Sequence, residues 1–97
     1  MFKNNESAGD RSLLLMIFGG TGDLTHRKLL PALYHLLADG RLPKETSIIS
    51  IDRRPLDDEG YRVSARRSIA AFSRTGVDEE HMANFLGHLH YRRMEFI

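Results

Sequence analysis

The sequence contains no cysteine and no tryptophan among its 97 residues. The absence of cysteine excludes a disulfide framework, a thiolate metal site and a cysteine nucleophile. Long hydrophobic runs are also missing: none approaches the roughly 20 residues that span a bilayer. The apolar stretch at residues 13–18 is too short for the hydrophobic core of a signal peptide. We therefore expect no membrane association and a cytoplasmic location.

Neither sign of charge is in clear excess, because 14 Lys plus Arg are balanced by 13 Asp plus Glu. This balance gives no reason to expect a nucleic acid as a partner. The five histidines have no H-E-x-x-H spacing, so we expect no metal site. Hydrophobic residues make up 41% and charged residues 28% of the chain, which is typical of a globular domain. A chain of this length is one domain at most, or a part of one.

The chain alternates between strand-like and helix-like patterns after a polar start. Residues 1–12 are rich in turn-forming residues and predict a flexible tail. The apolar run at residues 13–18 is typical of a parallel strand that is covered on both faces. Further strands are indicated at residues 47–51 and 88–97, with one helix before the second strand and two after it. Pro31 lies in the second turn of the first helix, which predicts a kink or a late start.

This order is βαβαβ, one half of a doubly wound, Rossmann-like parallel sheet of the α/β class. A glycine-rich segment follows the first strand and opens the first helix: Gly19, Gly20, Thr21, Gly22, Asp23 and Leu24. A helix start offers unpaired N–H groups and a partial positive charge to a pyrophosphate. Gly19 permits the tight turn, and Gly22 lets the backbone approach the phosphates.

The match to the G-x-G-x-x-G fingerprint is incomplete, because Thr25 stands at the third glycine position. We expect this threonine to push the helix slightly outward. A P-loop is excluded, since no Gly-Lys-Ser/Thr occurs. From these residues alone, an ordinary glycine-rich loop that binds nothing stays open as an alternative.

A second group of charged residues, Asp52, Arg53 and Arg54, ends the second strand. At this position an acid binds the ribose 2′-OH of NAD, whereas an arginine accommodates the 2′-phosphate of NADP. The two arginines are suited to grip a phosphate through charge-assisted bonds, and Asp52 would repel that phosphate if its side chain pointed into the site. The pattern favours NADP and leaves NAD open because of Asp52. A solvated basic turn is the plain alternative.

These motifs extend beyond a general fingerprint. The segment at residues 18–24, followed by Arg27-Lys28-Leu29-Leu30-Pro31-Ala32-Leu33-Tyr34, resembles the amino-terminal G-x-x-G-D-L-A and R-K-L-x-P-A-L-Y elements of glucose-6-phosphate dehydrogenases. Residues 39–43 resemble the family's D-G-x-L-P loop. Similarity continues through the strand that carries the coenzyme-phosphate arginine and ends near Tyr91.

The resemblance implies a role for each matching residue. The six residues from Gly19 to Leu24 would form the coenzyme phosphate turn, with Lys28 in a supporting role. Arg53 matches the family's 2′-phosphate arginine, and Arg54 stands where a second polar contact is made. The coenzyme would be NADP. Asp52 departs from the small residue that NADP-specific members tend to have, so the resemblance also leaves NAD open.

The resemblance further implies oxidation of glucose 6-phosphate to 6-phosphogluconolactone in the pentose phosphate pathway, by full-length enzymes that are homo-oligomers. The family's R-I-D-H-Y-L-G-K-E segment, with its catalytic histidine, has no counterpart here. We therefore expect residues 13–97 to be an incomplete NADP-binding domain that contains no catalytic residue, lacks the substrate domain and is inactive alone. Two other hypotheses stay open: a stand-alone nucleotide-binding or partner-binding module, and the remnant of a non-functional gene.

Overall fold

The computed structural model describes residues 11–95, and the tail predicted for residues 1–12 falls almost wholly outside this range. The described part contains three strands, three α-helices and one π-helical turn. In chain order these are β1 (Ser12–Phe18), the π-helical turn (Thr25–Leu29), α1 (Leu30–Ala38), β2 (Glu45–Asp52), α2 (Asp58–Phe72), α3 (Glu79–Gly87) and β3 (Leu89–Arg93). The predicted order of strands and helices is confirmed. Among these helices none has the length and apolar character to cross a membrane.

The three strands form one parallel sheet in the order β1-β2-β3. In its register Ser12 lies opposite Glu45 and Phe18 lies opposite Ile51. The carboxyl ends of β1 and β2 therefore finish level with each other. As a result, the residues that follow β1 and the residues that end β2 meet at one edge of the sheet.

All three helices pack on the sheet face that carries Ile17, Ile48 and Leu89. Each strand side chain on this face alternates with one on the opposite face, since successive residues of a strand point to opposite sides. The core lies between this face and the helices. Its buried members are Ile17, Leu30, Leu33, Tyr34, Ile48, Tyr61, Ala65, Ile69, Met82, Phe85, Leu86, Leu89 and Tyr91.

The prediction that β1 is covered on both faces is wrong for residues 11–95. Leu14, Met16 and Phe18 are 59%, 50% and 65% exposed on the opposite face. The reason is topological. The chain steps in one direction across the sheet, from β1 to β2 to β3. Because crossovers between parallel strands share one hand, two successive steps in one direction place their helices on the same side of the sheet. In a doubly wound sheet the other side is covered by the helices of the second half.

Pro31 lies inside a helix that already begins at Asp23, because residues 23–38 are helical without a break. The predicted late start is therefore wrong. A π-helical turn comes shortly before Pro31, where the missing N–H and the ring of proline disturb regular α-helix. The preceding π-helical turn begins at Thr25, which is buried and donates its hydroxyl to the Gly19 carbonyl at 3.0 Å. Gly40, with φ +73°, follows the helix as its predicted stop.

Candidate dinucleotide-binding site

Residues 19–22 after β1, called the glycine turn below, form a tight turn that is hydrogen-bonded to the end of β2. Gly19 has φ +86°, a conformation that favours glycine. The amides of Gly19 and Gly20 both donate to the Ile51 carbonyl, at 2.8 and 3.2 Å, and the amide of Gly22 donates to the Gly19 carbonyl at 2.9 Å. The turn is therefore held rigidly against the second strand.

Gly20 lies in the tightest part of this turn. A Cβ atom at this position would lie 2.5 Å from the Ser50 Cβ, closer than two carbon atoms can approach. The Gly20 carbonyl accepts a hydrogen bond of 2.6 Å from the buried Tyr61 hydroxyl. Only glycine fits between the turn and β2. Sequence reasoning assigned reasons to Gly19 and Gly22 but missed this packing reason for Gly20.

The free N–H groups of the site lie at the helix start rather than in the turn itself. The four amides from Gly19 to Gly22 all donate to protein oxygens, since the Thr21 amide donates to Asp52 Oδ2 at 2.9 Å. Within residues 11–95 no oxygen accepts from the amides of Asp23 and Leu24. These two donors, at the positive end of the first helix, fit a phosphate group.

Asp52 connects the turn to the arginine-bearing end of β2. Its Oδ2 accepts from the Thr21 amide at 2.9 Å and from the Thr21 hydroxyl at 2.6 Å, and its Oδ1 accepts from the Arg53 amide at 2.8 Å. The Thr21 hydroxyl, followed by the two amides, lowers the pKa of Asp52 below its ordinary value. The carboxylate is thus ionised and engaged with protein donors.

Arg53 and Arg54 form the exposed turn that follows β2, called the arginine turn below. The protein holds their carbonyl groups: the Arg53 carbonyl accepts from Arg93 Nε at 3.0 Å, and the Arg54 carbonyl accepts from the Tyr91 hydroxyl at 2.7 Å. In the described part of the chain neither guanidinium group forms an ion pair. Two cations are therefore available for an anion beside the glycine turn.

Lys28 lies apart from these contacts. It is exposed on the π-helical turn and, with Phe18 and Leu24 among others, lines a surface cavity of about 430 Å³ at the end of β1. Among residues 11–95 no hydrogen bond or ion pair links it to the glycine turn or the arginine turn. The structure therefore brings the two turns together and leaves Lys28 on the β1 side of the site.

The structure reveals two buried tyrosines below the site that sequence reasoning missed. Tyr61 of α2 and Tyr91 of β3 are 0% and 2% exposed and stack with ring centroids 5.0 Å apart. Tyr61 shares the apolar stripe of α2 with Ala65 and Ile69, so its spacing predicts a core residue and does not reveal what its hydroxyl contacts. No group of His, Asp and Glu side chains in the described range is placed to hold a metal ion.

The site combines a parallel strand, a rigid glycine turn and a helix start, and a basic turn lies beside them at the end of the neighbouring strand. This combination is typical of a dinucleotide-binding α/β domain. The comparisons with known proteins identify its family. Residues 16–97 match the family model described as "Glucose-6-phosphate dehydrogenase, NAD binding domain". The chain belongs to the glucose-6-phosphate dehydrogenase family, which implies a nicotinamide dinucleotide as the cofactor.

The relatives show how much of the family protein this chain covers. A glucose-6-phosphate 1-dehydrogenase of Chlamydia pneumoniae is 42% identical over 83 residues, which are 86% of this chain and 16% of that protein. The crystal structure of glucose-6-phosphate 1-dehydrogenase from Mycobacterium avium matches with TM-score 0.78 and 31% identity, over 87% of this chain and 18% of that one. A glucose-6-phosphate dehydrogenase in complex with its substrate glucose-6-phosphate matches with TM-score 0.72 and 30% identity, over 88% and 17%. The chain spans about one sixth of the length of these relatives.

Proposed function

We propose that this chain binds NADP as the coenzyme-binding part of a glucose-6-phosphate dehydrogenase. The observation that carries the proposal is the joining of the glycine turn to the arginine turn through Asp52, which contacts Thr21 and Arg53 at 2.6–2.9 Å. A dinucleotide phosphate has two anionic groups at different places, the pyrophosphate and the 2′-phosphate. The two turns provide a donor set for each, at one edge of the sheet.

Each turn has a separate role in this proposal. The free amides of Asp23 and Leu24 at the helix start receive the pyrophosphate. The guanidinium groups of Arg53 and Arg54 bind the 2′-phosphate, because arginine pairs with phosphate through charge-assisted, often bidentate bonds. Lys28 supports the coenzyme from the β1 side.

The position of Asp52 supports NADP over NAD. An acid that reads the 2′-OH of NAD needs carboxylate oxygens free for the ribose. Here Oδ2 of Asp52 accepts two hydrogen bonds from Thr21 and Oδ1 accepts one from the Arg53 amide, so about one of the four acceptor sites of the carboxylate is left for a ribose. Its negative charge is stabilised by these donors, and the two arginines beside it carry no competing ion pair within residues 11–95.

The proposed reaction is that of the family: oxidation of glucose 6-phosphate to 6-phosphogluconolactone, in the pentose phosphate pathway of the cytoplasm, by a homo-oligomeric full-length enzyme. The bound coenzyme supplies the hydride acceptor. In this proposal the chain's residues hold that coenzyme, and the substrate and the base belong to the rest of a full-length family protein, of which this chain spans about one sixth. We therefore propose that residues 13–97 are an incomplete domain and that the 97 residues alone turn over no glucose 6-phosphate.

A thermal melt of the purified chain, alone and with NADP, NAD or ADP, tests the proposal. At about 100 times its dissociation constant a coenzyme adds about 2.7 kcal/mol, which raises Tm by roughly 10–20 °C for a domain of this size. We expect a clear rise with NADP and a smaller one with NAD at the same concentration. Equal rises with all three nucleotides would instead indicate a general nucleotide-binding module, and no rise with any would contradict the proposal. Measurable oxidation of glucose 6-phosphate by the chain would refute its inactivity.

A further inference from the structure

The two stacked tyrosines below the site contact different turns. The Tyr61 hydroxyl donates to the Gly20 carbonyl at 2.6 Å, in the glycine turn. The Tyr91 hydroxyl donates to the Arg54 carbonyl at 2.7 Å, in the arginine turn. The rings lie 5.0 Å apart with an angle of 25° between their planes. One aromatic stack therefore links the backbones of the glycine turn and the arginine turn.

We propose that Tyr61 and Tyr91 form a positioning pair that fixes the spacing of the two turns, and that Tyr91 thereby sets the preference for NADP over NAD. This inference rests on the proposed function, since it assigns the helix start after the glycine turn to the pyrophosphate and the arginine turn to the 2′-phosphate. Neither tyrosine needs to touch the coenzyme. Each acts through the backbone group that its hydroxyl holds.

The geometry of the glycine turn shows how Tyr61 acts. The Gly20 carbonyl and the Thr21 amide belong to one planar peptide unit, in which C=O and N–H point in opposite directions. Tyr61 holds the carbonyl end at 2.6 Å, and Asp52 holds the amide end at 2.9 Å. The peptide is therefore fixed from both ends, which orients the helix start that follows it.

The Tyr91 contact acts on the other turn. The Arg54 carbonyl accepts from the Tyr91 hydroxyl and from the Leu56 amide, at 2.7 and 2.9 Å. Tyr91 itself is anchored because its amide donates to Asp58 Oδ1 at 2.7 Å, at the start of α2. An exposed turn with two free arginine side chains thus has a buried attachment. Without this attachment the guanidinium groups would sample more positions around the 2′-phosphate.

Both hydroxyls are reliable donors at neutral pH. Burial raises the pKa of Tyr61 to about 12, and burial also raises the pKa of Tyr91 above its ordinary value. The alternative is that the two rings only fill the core. Replacing tyrosine with phenylalanine separates these roles, because it keeps the ring and the stacking and removes the hydroxyl alone.

The experiment compares three variants of the whole chain: Tyr61→Phe, Tyr91→Phe and, as a matched control, Tyr34→Phe. Tyr34 is a buried tyrosine of α1 whose hydroxyl accepts from the Asp78 amide at 3.1 Å, in a contact that involves neither turn. Each variant is titrated calorimetrically with NADP and with NAD, and its fold is checked by circular dichroism. The discriminating readout is the ratio of the two dissociation constants, which a merely structural loss does not change.

We expect Tyr91→Phe to weaken NADP roughly 2- to 10-fold, the range of one hydrogen bond, and to leave NAD within about twofold. Tyr61→Phe should weaken both coenzymes by a similar factor, because both carry the pyrophosphate. Tyr34→Phe should leave both dissociation constants unchanged even where it lowers Tm. These results together support the positioning pair.

Each of the following outcomes overturns the inference. An equal effect of Tyr91→Phe on both coenzymes, or no effect on either, removes its role in the preference. Unchanged binding by Tyr61→Phe removes its role in the glycine turn. If the unmodified chain binds neither coenzyme, the proposed function fails and the inference fails with it. If the unmodified chain and both variants bind NADP and NAD with the same dissociation constants, the positioning pair is refuted and the proposed function is not.

Discussion

Replacing Gly20 with alanine should strain the junction between the glycine turn and β2. The added Cβ would lie 2.5 Å from the Ser50 Cβ and 3.3 Å from the Ser50 Cα. Carbon atoms in contact are separated by about 3.5–4.0 Å, so the turn must move by about 1 Å. A movement of this size lengthens the 2.6 Å bond from the Tyr61 hydroxyl to the Gly20 carbonyl beyond hydrogen-bond range.

The expected cost has two parts. Overpacking a well-packed site costs about 1–3 kcal/mol, and the lost hydrogen bond adds about 0.5–1.5 kcal/mol. In a domain of this size 1 kcal/mol shifts Tm by about 4–8 °C. Gly20→Ala should therefore lower the free energy of unfolding by about 1.5–4.5 kcal/mol and Tm by at least about 6 °C.

A second substitution tests whether Ser50 is the cause. Ser50→Gly deletes the Cβ that the new methyl group would meet, at a cost of about 0.5–1 kcal/mol for glycine inside a strand. Thermal melts followed by circular dichroism should show that Gly20→Ala costs less than about 1 kcal/mol in this background. Gly87→Ala is the control, since a Cβ there meets nothing within 4 Å. An unchanged Tm in Gly20→Ala, or the same loss in both backgrounds, would contradict the expected clash with Ser50.

Three further predictions follow from the described contacts. Thr21→Val removes the hydroxyl that donates to Asp52 at 2.6 Å, so the free energy of unfolding measured by urea denaturation should fall by about 1.5–3 kcal/mol. Thr21→Ser keeps the hydroxyl and should lose much less. Phe85→Ala empties a fully buried position and should cost about 3–5 kcal/mol, leaving little native far-ultraviolet signal at 37 °C; retention of the native melt would contradict the assigned core. Because the pKa of Asp52 is lowered in the folded state, its contribution to stability is present above its ordinary pKa and is lost as the pH falls through the lower folded value. The stability difference between the natural chain and Asp52→Asn should therefore shrink below about pH 4, and a difference that grows there would contradict this pKa direction.

The strands and helices could be predicted because local patterns decide them. The apolar run of β1, the isoleucines of β2 and the stripe of α2 each match the period of their element. Pro31 indicated a disturbance in the first helix, but the predicted late start is wrong, since the helix begins at Asp23 and contains a π-helical turn before the proline. That turn also includes the long-range contact of Thr25 with the Gly19 carbonyl. Local pattern fails for the open face of β1. A continuous apolar run indicates that both faces are apolar, but it carries no information about which part of a protein covers each face.

The residue types of the site could be predicted from the sequence, but the hydrogen bonds between them could not. The glycines and arginines lie in recognisable positions after β1 and β2. The contacts that join them run between distant residues: Thr21 to Asp52 is 31 positions apart, and Gly20 to Tyr61 is 41. Sequence reasoning could say that Asp52 would repel a 2′-phosphate if it faced the site. It could not show that Thr21 and Arg53 occupy both carboxylate oxygens.

A calorimetric titration of the chain and its Arg53→Ala variant with NADP and NAD tests directly whether the arginine turn binds the 2′-phosphate. Arg67→Ala, which removes an exposed arginine from α2 instead, controls for the change of net charge. We expect Arg53→Ala to weaken NADP binding by roughly 10- to 100-fold, the range of hydrogen bonds to a charged group, while NAD binding changes by less than about threefold and Arg67→Ala changes neither. Equal losses for the two coenzymes in Arg53→Ala would contradict the claim that this turn binds the 2′-phosphate.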